Sequence, residues 1–200
     1  MPTGFSVPGL SEDETTQVRT RLQDRLNALI DLGLTLKHIH WNVVGPSFIG
    51  VHEMLDPQYE AVQGMVDDIA ERIATLGGSP VGTPGHIVEA RRWDDYIVQR
   101  ATTQEHLSAL DLVYTGVVED HREAIEAFES EPVSQDMVTA QSGLLEQFQW
   151  FIRAHLEDGT GNLLNAGATT EQEAVDKAVA SAPGSGTEKK RGRRKAAAKS

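Results

Sequence analysis

Residues 40–74 read HWNVVGPSFIGVHEMLDPQYEAVQGMVDDIAERIA, and the spacing of their histidines and acids decides how the rest of the chain is arranged. His52 and Asp56 are four apart, as are Asp67 and Glu71, so each pair shares one side of a helix a turn apart. At about 100° per residue, Asp56, Asp67 and Glu71 fall about 40°, 60° and 100° round the axis from His52, within one stripe. Along the axis, however, His52 and Asp67 are separated by roughly 22 Å at 1.5 Å per residue. One helix therefore cannot fold its own two pairs into a single site. Two copies lying antiparallel across a two-fold axis set His52 and Asp56 of one against Asp67 and Glu71 of the other. That geometry points to a metal site at a subunit interface. Taken singly, each pair is as readily a solvated helix face; their shared phase favours the metal.

Outward from this stretch the chain reads as helices. On its N-terminal side, Ser11 with Glu14 is a capping-box signature, opening a first helix that runs to about His40. Its inner face is Leu22, Leu26, Leu29, Gly33, Leu36 and His40. His40 lies under Leu22 in angle and points inward, as a core histidine or as a ligand. Gly45 and Pro46 end that helix, and Ser47 can cap a second over roughly 48–76, with Pro57 marking a kink or a late start. Its apolar side is Leu55, Tyr59, Val62, Val66, Ile69, Ile73 and Leu76. The acidic stripe has small fillers, Gly64, Ala70 and Ala74, which allow close approach of another helix. After LGGSPVGTPG, Thr83 and Pro84 start a short helix through HIVEA. A third long helix is expected from about Trp93 to Glu129, and a fourth opens at Ser134. The fold class is all-α: a four-helix bundle of the ferritin-like type, with a short helix in the crossover between the second and third long helices. The expected division is an arm over 1–10, a bundle domain over 11–158 and a flexible tail over 159–200, with a short helix in TTEQEAVDKAVA.

Composition sharpens the division. The chain has no cysteine, which excludes disulfides, thiolate chemistry and cysteine-held iron–sulfur clusters. It shows no apolar run long enough to span a bilayer and no export-signal pattern at its start, so a cytoplasmic location is expected. The net charge of −12 is the sum of an acidic body and a basic end. Residues 189–200 carry Lys189, Lys190, Arg191, Arg193, Arg194, Lys195 and Lys199 with no acid, leaving −19 on residues 1–188. The body suits cations and the tail suits a polyanion.

His, Asp and Glu together suit Fe, Mn or Zn. The two Glu-x-x-His repeats of an intrachain di-iron bundle are missing, since Glu71 is followed by Arg72, Ile73 and Ala74. HxHWNVVGPSFIGVHEMLD followed by DDIAERIATLG closely resembles the signature of the Dps proteins, the DNA-binding proteins from starved cells, within the ferritin-like superfamily. The likeness covers about residues 5–158 and is greatest to the mycobacterial, actinobacterial branch with a basic C-terminal extension. It implies an intersubunit ferroxidase centre: His52 and Asp56 from one subunit, Asp67, Glu71 and His40 from its two-fold partner, with Trp41 close by. It also implies a hollow homododecamer that oxidises Fe(II), with hydrogen peroxide the preferred oxidant, and stores the Fe(III) product as mineral. The N-terminal arm has no Lys or Arg before Arg19, so nucleoid-associated binding of double-stranded DNA is expected of the tail, non-specifically through phosphates. The alternatives are a structural nucleoid protein without ferroxidase activity and an iron store whose tail leaves DNA alone. Glu119, Asp120, Glu123 and Glu126 are candidates for an iron entry pore or for a plain solvated face.

Overall fold

The structure, a computed structural model, describes residues 7–182. Helix α1 spans Glu12–Asn42 and opens on the expected box: Ser11 Oγ accepts from the Glu14 N–H at 3.3 Å, and the Glu14 carboxylate accepts from the Ser11 N–H at 3.0 Å. The box satisfies two donors that a helix start leaves open. Leu22, Leu29, Leu36 and Ile39 are fully buried on one face, each worth ~1.5–3 kcal/mol relative to exposure. Gly33 lies buried on that face. A Cβ there would meet Val62 and Tyr59 of the next helix at 3.7 and 3.8 Å, ordinary contact, and would displace only the end of the flexible Gln63 side chain.

A two-residue strand, β1 (Val43–Val44), leaves α1, and Gly45 at φ +109° turns the chain into α2, Phe48–Thr75. Ser47 is the residue before α2, but its side chain makes no capping hydrogen bond. The helix runs through Pro57; Glu53, whose carbonyl loses its usual partner there, is exposed. α2 is antiparallel to α1: Arg19 near the start of one donates to the Leu76 carbonyl just past the end of the other at 3.0 Å.

The crossover contains α3 (Pro84–Ala90), with Pro84 in its first turn as expected. The third long helix does not start near Trp93. Residues 91–100 form an irregular strap leading to β2 (Ala101–Thr102), which pairs in parallel with β1, Val43 opposite Ala101 and Val44 opposite Thr102. Side chains fix the strap: the Trp93 indole donates to Asp31 at 2.7 Å, Tyr96 meets His106, and Val98 is buried. The capping box that opens α4 (Thr103–Ala127) is Thr102 with Glu105. α5 (Pro132–Leu156) starts ahead of Ser134, because the buried Glu131 carboxylate accepts from the Val133 and Ser134 N–H groups at 3.2 and 2.8 Å. Arg72 then pairs with Glu131 at 2.9 Å, tying α2 to α5. The four long helices enclose one core, in which the Tyr114 hydroxyl donates to Gln58 at 2.8 Å.

Beyond the bundle, α6 (Glu171–Ser181) forms within the segment expected to be helical, and it buries Ala174 and Ala178. Residues 159–170, assigned by composition to a flexible tail, are held in place. The buried Asp111 carboxylate accepts from Asn165 Nδ2 at 2.9 Å, Gln149 Nε2 at 3.0 Å and Arg153 Nε at 2.7 Å. Buried polar bonds of this kind leave no trace in hydrophobic periodicity. Among the described residues no helix is long and apolar enough to cross a membrane.

Candidate metal centre

The turn between α1 and α2 brings two histidines together. His40, in the last turn of α1, stacks on His52 in the second turn of α2, with ring centroids 3.6 Å apart and planes at 23°. The backbone holds them reciprocally. His40 Nδ1 lies 3.0 Å from the His52 carbonyl, and His52 Nδ1 lies 2.9 Å from the His40 carbonyl. A carbonyl can only accept, so each Nδ1 carries the proton and each Nε2 keeps its lone pair for a metal. The β1–β2 ladder lies directly after this end of α1, and Phe48 packs its ring 4.9 Å from that of His52.

Asp56 completes the group one turn along α2, its Oδ1 3.2 Å from His40 Nδ1. The same oxygen accepts from Lys37 Nζ at 2.7 Å, and that bond holds the carboxyl below the usual range. Lys37 also lies 4.8 Å from the Tyr59 ring centroid. The ammonium thus occupies the carboxylate that a metal would use. Sequence reasoning passed over Lys37, although its place three residues before His40, one turn back on the same side of α1, was the available signal.

Asp67 and Glu71 are exposed on α2, well along the axis from this group. Their face is open: a Cβ added at Gly64 would meet nothing within 4 Å. Among the described residues no three His, Asp or Glu side chains of one chain converge on a metal position. Within one chain, His40 stands beside His52 and Asp56 and not beside Asp67 and Glu71. This follows from the antiparallel hairpin, which places the end of α1 beside the start of α2. Trp41 stands 72% exposed next to His40. Of the four candidate pore acids, Asp120 pairs with Arg25 at 2.9 Å, while Glu119, Glu123 and Glu126 are exposed on α4. The basic residues Lys189, Lys190, Arg191, Arg193, Arg194, Lys195 and Lys199 lie outside the described residues.

Four long helices joined by a long crossover, with two histidines and a carboxylate gathered at the turn of one helical hairpin, define a ferritin-like architecture. The ferritin-like domain family matches residues 19–161, and the chain belongs to it. Within that family it belongs to the Dps branch. It is 59% identical over 177 residues to the DNA protection during starvation protein of Mycolicibacterium smegmatis, covering 88% of this chain and 97% of that protein. The solved structure of Mycobacterium smegmatis Dps matches with a TM-score of 0.82 at 58% identity, covering 84% of this chain and 97% of that one. DpsA14 from Streptomyces coelicolor matches with a TM-score of 0.79 at 53% identity, covering 82% and 98%.

Proposed function

We propose that the protein is a ferroxidase and iron store that protects DNA, with each centre built from two half-sites across a two-fold axis. The observation that carries this reading is the division of the donors. The turn where α1 meets α2 holds His40, His52 and Asp56, with both Nε2 atoms free, and a separate stretch of α2 holds Asp67 and Glu71. An antiparallel pairing of two such faces brings unlike halves together at both ends. The exposed Leu34 and Trp41 on α1 support a second copy as the cover, since a monomer leaves both in water.

Fe(II) is the substrate. Neutral imidazoles and carboxylates suit it, and a carboxylate-rich site favours Fe(III) over Fe(II) through charge. Hydrogen peroxide accepts two electrons, so two Fe(II) with one peroxide and two waters give two FeO(OH) and four protons. No unpaired oxidising equivalent remains to attack DNA. The backbone carbonyls fix the tautomers and ring planes of His40 and His52, Asp56 supplies charge, and Lys37 must yield the Asp56 oxygen as iron enters. The acidic body favours collection of the product inside a closed shell, here a homododecamer as the Dps resemblance implies.

The basic residues 189–200 bind double-stranded DNA through its phosphates, placing the protein in the cytoplasm at the nucleoid. The segment holds Lys, Arg, Gly, Ala and Ser and no aromatic to read bases. The test is stoichiometric: peroxide-driven Fe(II) oxidation should be rapid in the full chain and lost in His52→Ala/Asp56→Ala, with the helical signal and particle size unchanged. Rapid oxidation surviving that pair of changes would refute the centre.

A further inference from the structure

A second feature of the molecule lies away from the histidines. Between α1 and α4, bridged by the strap over residues 91–98 and by the start of α6, runs an open cleft of about 630 Å³. Its walls are apolar at Ala28, Leu32 and Val113, with Trp93 and Ile97 partly exposed at the rim. Seven carboxyls and three guanidiniums line it, an excess of four negative charges. Two of those carboxyls, Asp94 and Glu123, are exposed and have no ion-pair partner among the described residues. Burial, with Asp31 and Asp94 nearby, also pushes the Glu171 carboxyl upward. Arg25, only 7% exposed, is already taken up by Asp120, to which its Nη2 donates at 2.9 Å.

We infer that this cleft docks the chain's own basic tail, residues 189–200. Lys and Arg side chains meet Asp94, Glu123 and Glu171, and the small alanines of the tail lie on the apolar walls. Chain length permits the return. α6 leads away from the cleft for eleven residues, roughly 17 Å at helical rise, and residues 183–188 extend to about 20 Å, so Lys189 can come back to the start of α6. The docked tail is a reversible brake, because it cannot grip phosphates while it neutralises the cleft. This DNA consequence rests on the tail being the DNA-binding element; the docking itself does not.

The first arm uses the assembled protein stopped after Gly186 and a fluorescent synthetic peptide of residues 189–200, read by anisotropy at low and near-physiological salt. The peptide should bind, and Asp94→Asn/Glu123→Gln should weaken it about tenfold. A control that removes two exposed acids elsewhere, Glu60→Gln/Asp136→Asn, should change it less than about twofold. No binding, or equal loss in both variants, overturns the inference. In the second arm, the full chain carrying Asp94→Asn/Glu123→Gln should bind DNA about threefold more tightly than the full chain carrying the control pair, since both have lost equal charge. Equal DNA affinity of the two would overturn the brake. If removing the tail leaves DNA affinity unchanged, the DNA reading fails, while the peptide arm still decides whether the cleft holds the tail. Light scattering checks that every variant keeps the particle size of the parent.

Discussion

Two defective chains should rebuild working centres in a proportion that the half-site geometry fixes. One parent carries His52→Ala/Asp56→Ala and the other Asp67→Ala/Glu71→Ala. Each is inactive alone, because every centre lacks one half. In a two-fold pair of unlike chains, one centre draws both halves from unaltered segments and the other draws both from altered ones. Pairs of like chains contain no intact centre. Random assembly of a 1:1 mixture makes half of the pairs unlike, so about one quarter of all centres are intact. The initial rate of peroxide-driven Fe(II) oxidation should therefore recover to about a quarter of wild type after co-refolding, with mixing verified by native mass spectrometry. Recovery no greater than the sum of the parents, in shells shown to be mixed, refutes the two-chain centre. The same arithmetic tests the placement of His40. His40→Ala mixed with Asp67→Ala/Glu71→Ala should recover about a quarter, whereas His40→Ala mixed with His52→Ala/Asp56→Ala should recover nothing, since both lesions lie in one half. A quarter recovered in the latter mixture would return His40 to the Asp67 side, against the stacking on His52.

The remaining expectations follow from separate features. A chain stopped after Gly186 should lose DNA binding at near-physiological salt but keep its Fe(II) oxidation. In the full chain, log affinity should fall against log salt by about 0.9 for each phosphate neutralised, read in a gel shift across a salt series. Asp111→Ala strips the common acceptor from Arg153, Gln149 and Asn165 and should cost ~1–3 kcal/mol, measured by denaturant unfolding. Limited proteolysis of the same variant should cut residues 159–170 faster. Burial, with Arg25 nearby, pulls His121 down to about 4, and burial, with His38 nearby, pulls His106 to about 4. Both are neutral in the folded state above that range, so the unfolded chain takes up protons first as pH falls. Stability is then complete above the ordinary histidine value and declines between about pH 6.5 and 4, by up to ~1.4 kcal/mol per pH unit for each histidine. His121→Gln should flatten that decline in denaturation midpoints taken from pH 7 to 5.

The sequence by itself determined the four long helices, because each buries one stripe that recurs with the helical period: Leu22 to Leu36 on α1, and Leu55 to Ile73 on α2. It determined that α2 cannot close its own site, since helical rise keeps His52 and Asp67 apart whatever the fold. It placed the box at Ser11, because capping is local and the partner is only three residues away. The start of α4 was hidden, because Trp93, Tyr96 and Val98 gain more from Asp31, His106 and the core than from another turn of helix. The hold on Asn165 rests on Asp111, 54 positions earlier. The tertiary structure alone also decided the company of His40. Its angle on α1 said that it faces inward, but only the antiparallel hairpin put His52, Asp56 and the ammonium of Lys37 beside it. Helical period fixes which face a residue occupies; the element across from that face is chosen by chain topology and long-range packing, which no local pattern encodes.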